Sequence, residues 1–227
     1  MPTNRPTLAF EYWSDPLCIW AYVAQVKLDR LLNTHGPSLT VRYHIVPVFG
    51  SMPWRFSAGS WAAAGPEGRR EATERIARDQ GFKGVTGETW TSDAPASSWA
   101  PGMAIKAVLS MEDDEQAPAG SGALYQRALR AEFFEKNRNT ARRKVQLDVA
   151  TSLNLNIALL EQRLDDGTAL AALWEDEHHR TEQRIQGSPT YLFDGGRARL
   201  YGNFDESVLQ ATVLTLLQGI KAGGSAC

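Results

Sequence analysis

Cys18 is the side chain of this sequence best placed for covalent chemistry. It stands in Ser14-Asp15-Pro16-Leu17-Cys18-Ile19-Trp20-Ala21-Tyr22, where Asp-Pro breaks an aromatic run and apolar residues begin to recur at helical spacing. A thiol at a helix N-terminus meets unsatisfied backbone N–H groups and the positive end of the helix dipole. Both favour the thiolate, which is the nucleophile, so the expected pKa lies below the free value of roughly 8.5. Asp15 opposes this if it lies close, since a like charge raises a thiol pKa, and its other expected use is as a helix cap. The second segment of interest is Gly187-Ser188-Pro189-Thr190. A proline that opens a strand removes one ladder donor and fixes φ. With the Ser188–Pro189 bond cis, the Ser188 backbone is expected to face outward toward a bound extended chain or tripeptide.

These two segments are 170 positions apart, so the fold must bring them together. Residues 7–13 alternate and are rich in aromatics, as a strand requires. Trp20, Ala21, Val23, Ala24, Leu28, Leu31 and Leu32 predict a helix from Cys18 to the Gly36-Pro37 break. Residues 39–48 predict a second strand, which makes the opening β-α-β and its strands parallel. Helical patterns then occupy 66–80, 101–111, 123–135, 141–153, 157–164 and 169–185, with loops at 81–100 and 112–122. Strand character returns at 190–193, a turn signal stands at Asp194-Gly195-Gly196, and 198–201 is the partner strand. Asp205 is placed to cap a last helix carrying Val208, Leu209, Val213, Leu214, Leu216 and Leu217. The expected fold class is α/β: a thioredoxin fold from 1–58 and 186–220, an inserted all-helical subdomain at 59–185, and a flexible tail at 221–227.

At these residues the chain resembles the DsbA-like thioredoxin superfamily, and within it the cytoplasmic FrnE-like oxidoreductases. Those typically carry Ser-Asp-x-x-Cys-Pro-Trp-Cys-Tyr, where this sequence has SDPLCIWAY, and a Gly-Val-Pro-Thr type loop, here GSPT. Residues 129–139 (LRAEFFEKNRN) resemble the family's helical-domain segment, which ends at a double aromatic and a charged turn. The resemblance implies thiol-disulfide oxidoreductase activity with Cys18 catalytic, and Trp20, Ser188 and Pro189 as substrate-binding residues. Two departures matter. Ile19 replaces the usual Pro, and Ala21 replaces the resolving Cys. A dithiol oxidant closes its own CxxC disulfide; Cys-Ile-Trp-Ala cannot, so a mixed disulfide on Cys18 needs an outside thiol. Cys227 is the one internal candidate, on a tail of ten residues that reaches roughly 33 Å when extended, and a tail cysteine without a role is its default reading.

A related branch holds the kappa-class glutathione transferases and 2-hydroxychromene-2-carboxylate isomerases, which use Ser at the position of Cys18. The resemblance to them implies glutathione as a candidate co-substrate, held near Gly202-Asn203-Phe204-Asp205, with Asn203 as a binding residue. A catalytically degenerate thioredoxin-fold binding protein is the reading from a different class.

Composition narrows the partners. The chain has 227 residues, 43% apolar, and a net charge of -2, which gives no basic face for nucleic acid. No apolar run approaches the roughly 18 residues of a membrane span, and residues 1–6 with the broken apolar stretch after them do not read as a secretory leader. A cytoplasmic location is therefore expected. Two cysteines supply neither a disulfide framework nor a cysteine-rich zinc site. His178 and His179 lie in a charged helix, for which a solvated face is the default, and His44 reads as structural. No metal and no required cofactor are expected. The expected partners are a small thiol or disulfide or a protein disulfide, with a homodimer as a candidate assembly. Trp13, Met52, Trp54, Trp61, Trp90 and Trp99 are aromatic or apolar candidates for a cleft wall, with core packing as their default.

Overall fold

A computed structural model describes residues 7–219. The chain runs through β1 (Leu8–Ser14), α1 (Ile19–His35), β2 (Leu39–Ile45), α2 (Met52–Ser57), α3 (Gly65–Asp79), α4 (Thr89–Ser92) and α5 (Trp99–Asp113). It continues with α6 (Ser121–Phe134), α7 (Arg143–Ser152), α8 (Ile157–Asp165), α9 (Thr168–Glu182), β3 (Thr190–Phe193), β4 (Ala198–Tyr201) and α10 (Glu206–Leu217). The four strands lie in the order β2-β1-β3-β4. β1 is parallel to β2 and antiparallel to β3, and β3 and β4 form a hairpin. This is the α/β thioredoxin fold, with helices α2 to α9 between its two halves.

Alternation along β1 sorts the side chains between two sheet faces. Phe10 and Tyr12 point to one face and pack with Leu28 and Leu31 of α1, Tyr191 and Phe193 of β3, and Leu209 and Val213 of α10. Glu11 and Trp13 point to the other, where α9 crosses β2. Helix α1 ends where Gly36 takes φ +44 and donates its N–H to Leu32 O; Pro37 follows in a single 3-10 turn. The helical block has its own core of Ala104, Val108, Met111, Tyr125, Leu129, Val149, Leu160 and Leu173, to which Ile45 of β2 also belongs. Gly102 permits that union, since a Cβ there would lie 3.0 Å from Ile45 Cγ2.

Several elements differ from the sequence-based expectation. β2 ends at Ile45 rather than Val48, because Pro47 has no N–H to continue the ladder and Val48 N turns back to Val46 O. Met52–Ser57 is a short helix capped by Ser51, whose Oγ accepts from Trp54 N. Thr89–Ser92 is a helical turn inside the segment expected as loop, and α5 and α6 each begin two residues early. Asp205 occupies the N-cap of α10 but makes no side-chain cap bond. The tail expected at 221–227, with Cys227, lies outside the described residues.

Candidate active site

Cys18 is the N-cap residue of α1, with extended backbone angles (φ -83°, ψ 113°), and its carbonyl accepts the first helical bond from Tyr22 N at 3.0 Å. The turn before it closes through Cys18 N to Asp15 O at 3.2 Å. The thiol donates to Ser188 O at 3.4 Å. A second tie joins the same segments, from Asp15 N to Ser188 Oγ at 2.9 Å. The Ser188–Pro189 peptide is cis, and the loop is fixed on its far side by Thr190 Oγ1 donating to Gly187 O and Gly202 N donating to Pro189 O. The two segments singled out in the sequence therefore meet at the sulfur.

The surroundings of Cys18 are mostly apolar. It belongs to a cluster with Leu17, Ile19, Phe49, Met52, Trp90, Phe133 and Phe134, built from the turn before α1, α1 itself, the segment after β2, and helices α2, α4 and α6. The residue is 5% exposed, whereas its neighbour Trp20 is 41% exposed. Trp20 and Ser188 join Tyr201, Gly202 and Asn203 as the walls of an open cleft of about 260 Å³, which adjoins the thiol through Ser188. Asn203 is held there by Lys27 Nζ, which donates to its Oδ1 at 2.9 Å, and by its own Nδ2 donating to Gln80 Oε1. Ala21, one turn beyond Cys18, is fully buried and inert. Of the aromatics considered for a cleft wall, Trp90 and Trp61 pack in or against the cluster around Cys18, while Trp13 lies in a separate core.

The expected low thiol pKa is not what this environment produces. Burial pushes the Cys18 thiol up from its ordinary value, and the Ser188 side chain acts in the opposite direction. The negative charge of Asp15 raises it further, while Ala21 N–H and the Arg69 cation lower it. The helix start contributes as anticipated; loss of hydration outweighs it.

Two charged residues that the sequence reading underused dominate the site. Asp15 is fully buried, and its carboxylate accepts from Leu17 N at 2.7 Å, Phe49 N at 3.3 Å and Ser98 Oγ at 2.6 Å. It thus pins the approach to Cys18 to the segment after β2 and the start of α5, and burial lifts its pKa to about 6. Asp-Pro before a helix was a visible signal for a cap, and the Leu17 bond is of that kind; the partners from 34 and 83 residues away were not visible. Arg69 of α3 lies over the rings of Trp61 (4.4 Å to the centroid), Trp90 and Phe49. Nothing in the Glu- and Arg-rich sequence of α3 distinguishes it from the solvated arginines beside it. Arg130 of α6 completes the frame, donating to Ser14 Oγ at 2.8 Å, Asp15 O at 3.4 Å and Gln25 Oε1 at 2.9 Å. The segment 129–139 also docks directly on α1, through Phe134 against the Tyr22 ring (4.8 Å) and Glu135 accepting from Tyr22 OH (2.8 Å).

Comparison with known proteins bears on this arrangement. The ClpXP adapter protein SpxH of Halalkalibacterium halodurans is 24% identical over 210 residues. That alignment takes in 92% of this chain and 64% of the relative, so the chain spans less than two thirds of the relative's length. Cytosolic disulfide reductase DsbM from Pseudomonas aeruginosa superposes with a TM-score of 0.69 at 21% identity, over 93% of this chain and 99% of that one. The same protein has been solved with GSH. A 2-hydroxychromene-2-carboxylate isomerase superposes with a TM-score of 0.64 at 17% identity, over 93% and 97% of the two chains. Identities this low speak for a shared fold. The DSBA-like thioredoxin domain, by contrast, matches residues 9–213, a stretch that contains Cys18, the Ser188-Pro189 loop and every helix between them, and this chain belongs to that family.

Proposed function

We propose that this chain is a single-cysteine thiol-disulfide exchange enzyme that works with an external thiol. The observation that carries the reading is the contact of Cys18 Sγ with Ser188 O at the lip of the cleft, with Ala21 where a second thiol would resolve the reaction internally. In the first step the Cys18 thiolate attacks one sulfur of a substrate disulfide. A mixed disulfide forms, the substrate S–S bond breaks, and the other sulfur leaves as a thiolate. In the second step an outside thiolate attacks that substrate's sulfur in the mixed disulfide, which releases Cys18 as the thiolate and leaves the substrate joined to the outside thiol. A second outside thiolate then cleaves that bond, so two thiols become one disulfide as the substrate disulfide becomes two thiols.

Each wall of the site has a part in this. Ser188 and Pro189 align the substrate backbone beside the sulfur, and Trp20 covers one side of the bound group. The volume and polar lining of the cleft suit a short peptide thiol, and Asn203 offers an amide to its polar end. Glutathione is the thiol of that class that we favour, and DsbM, of the same fold, has been solved with GSH.

Mass spectrometry after exposure to glutathione disulfide tests the proposal. A mixed disulfide on Cys18 is expected in the wild type and in Cys227→Ser, and is expected to disappear in Cys18→Ser. Absence of the Cys18 adduct, with turnover of a disulfide substrate unchanged in Cys18→Ser, overturns it. The same cleft has the dimensions for a glutathione-dependent isomerase or transferase. Saturable calorimetric binding of reduced glutathione together with no disulfide turnover decides for that second reading.

A further inference from the structure

On the sheet face away from α1, three side chains from three elements converge: Glu11 of β1, His44 of β2 and His179 of α9. One donor atom from each lies within 4.8 Å of the others. His179 Nε2 is 3.2 Å from both oxygens of Glu11, and His44 Nε2 is 3.9 Å from Glu11 Oε2. Tetrahedral zinc with ligand bonds of about 2.0–2.1 Å places its ligand atoms roughly 3.3 Å apart. The observed spacings lie between 3.2 and 4.8 Å, so side-chain shifts of up to about 1.5 Å reach that figure.

A second observation points to a ligand independently. The His44 side chain is 8% exposed, and its Nε2 is buried without any hydrogen-bond partner. Its other nitrogen, Nδ1, lies 2.8 Å from Asp176 Oδ1. Asp176 also accepts from Ile45 N at 2.7 Å and from Lys106 Nζ at 2.9 Å, so it is held as a carboxylate and accepts the Nδ1 proton. With Nδ1 engaged by Asp176, Nε2 is the ring position left over, and it lies on the Glu11 side. Carboxylate-to-histidine support of this kind is how proteins orient imidazole ligands of metals. Glu11 is supported in the same way, since Trp13 Nε1 donates to its Oε2 at 3.0 Å and the Trp13 ring stacks on His44 at 4.2 Å. Buried polar atoms are satisfied as a rule, and an orphan ring nitrogen beside two further ligand-type side chains calls for a partner.

We propose that Glu11, His44 and His179 bind one divalent transition-metal ion, with zinc as the best match. Two imidazoles and one carboxylate are donors suited to a borderline-soft cation and leave a coordination position open. His44 and His179 both border a cleft of about 860 Å³ between β2, α5 and α9, from which water can fill that position. The two histidines are 135 residues apart in sequence, so no metal-binding spacing connects them. The site lies apart from Cys18 and does not depend on the exchange reaction proposed for it.

The test uses the full chain, freed of affinity tags, stripped with chelator and dialysed. Cobalt(II) is titrated in as a spectroscopic probe and zinc is then added as competitor. One equivalent of cobalt is expected, with visible ligand-field bands, no sulfur-to-cobalt charge-transfer band, and full displacement by zinc. The same result is expected in Cys18→Ser. His179 is partly exposed, so His179→Ala should keep the wild-type circular dichroism spectrum while losing more than about 10-fold in affinity. Asp176→Asn, which touches no metal, is expected to lose about 10- to 100-fold through His44. Failure of the wild-type protein to bind a stoichiometric equivalent overturns the proposal. Binding that His179→Ala and Glu11→Gln leave unchanged also overturns it.

Discussion

Asp15 and Arg69 act on the Cys18 thiol with opposite charges; Asp15 is held by its three hydrogen bonds and Arg69 by the rings it covers. Asp15 has its pKa lifted from 3.8 to about 6. The folded protein therefore retains that proton over a pH range in which the unfolded chain has lost it. The stabilisation this gives is complete below pH 3.8 and is lost as pH rises through about 6. A difference of about two units corresponds to roughly 3 kcal/mol. Between pH 4 and 7, wild-type stability measured by urea unfolding is thus expected to fall relative to Asp15→Asn by an amount of that order. A flat difference across that range would show that Asp15 is not buried as a charge. The charges also predict opposite effects on the sulfur. Asp15→Asn is expected to speed alkylation of Cys18 at pH 7 and Arg69→Gln to slow it, each by several-fold, as measured with iodoacetamide across a pH series. Identical pKa values in the three proteins would remove both residues from the electrostatics of the site.

Helix α6 positions the active-site turn through Arg130, which is 1% exposed and reaches Ser14, Asp15 and Gln25 at once. It connects the inserted helices to the C-terminal end of β1, where the thioredoxin fold turns into α1. Arg130→Met retains much of the packing volume but leaves Ser14 Oγ and the Asp15 carbonyl without this donor. Ser14 Oγ keeps Gln126 Nε2 and the Asp15 carbonyl keeps Cys18 N as donors, so the expected loss is that of hydrogen bonds to a buried cation, about 1.5–3 kcal/mol. Thermal unfolding would measure it, and faster hydrogen exchange at the amides of Leu17 and Cys18 would show that the effect reaches the turn. Unchanged exchange there would limit Arg130 to a general packing role. Gly102 does the corresponding work for α5, since its missing side chain lets that helix approach Ile45 of β2.

Across the molecule, the described residues form four apolar cores, and the site lies in one of them rather than inside a single enclosing core. The sheet core and the helical-block core are joined by the cluster that contains Cys18, Trp90 and Phe133. Trp90 is central to this junction: it is 1% exposed, stands edge-on to Phe133 at 4.9 Å, and donates from Nε1 to Thr73 Oγ1 at 3.1 Å. Trp90→Ala is expected to cost about 3–5 kcal/mol, as large buried truncations do. It should also speed alkylation of Cys18, because the burial that raises the thiol pKa is weakened. A stability loss without any change in thiol reactivity would separate the junction from the chemistry.

Much of the architecture was legible in the residues themselves. Alternation in β1, the helical period after Cys18 and the turn at Asp194-Gly195-Gly196 are local patterns, and local backbone preference was enough to place nearly every strand and helix within a few residues. Cys18 and the Ser188-Pro189 loop were legible because each lies at an element boundary marked by its own residues. The state of the thiol was not. Its pKa follows from hydration lost to Phe49, Trp90 and Phe133 and from charges on Asp15 and Arg69, which approach through space from separate elements. Glu11, His44 and His179 are likewise unrelated by any spacing and become neighbours where α9 crosses β2. Secondary structure is written in short-range periodicity, whereas solvation and charge proximity depend on contacts between distant parts of the chain, and these exist only once it has folded.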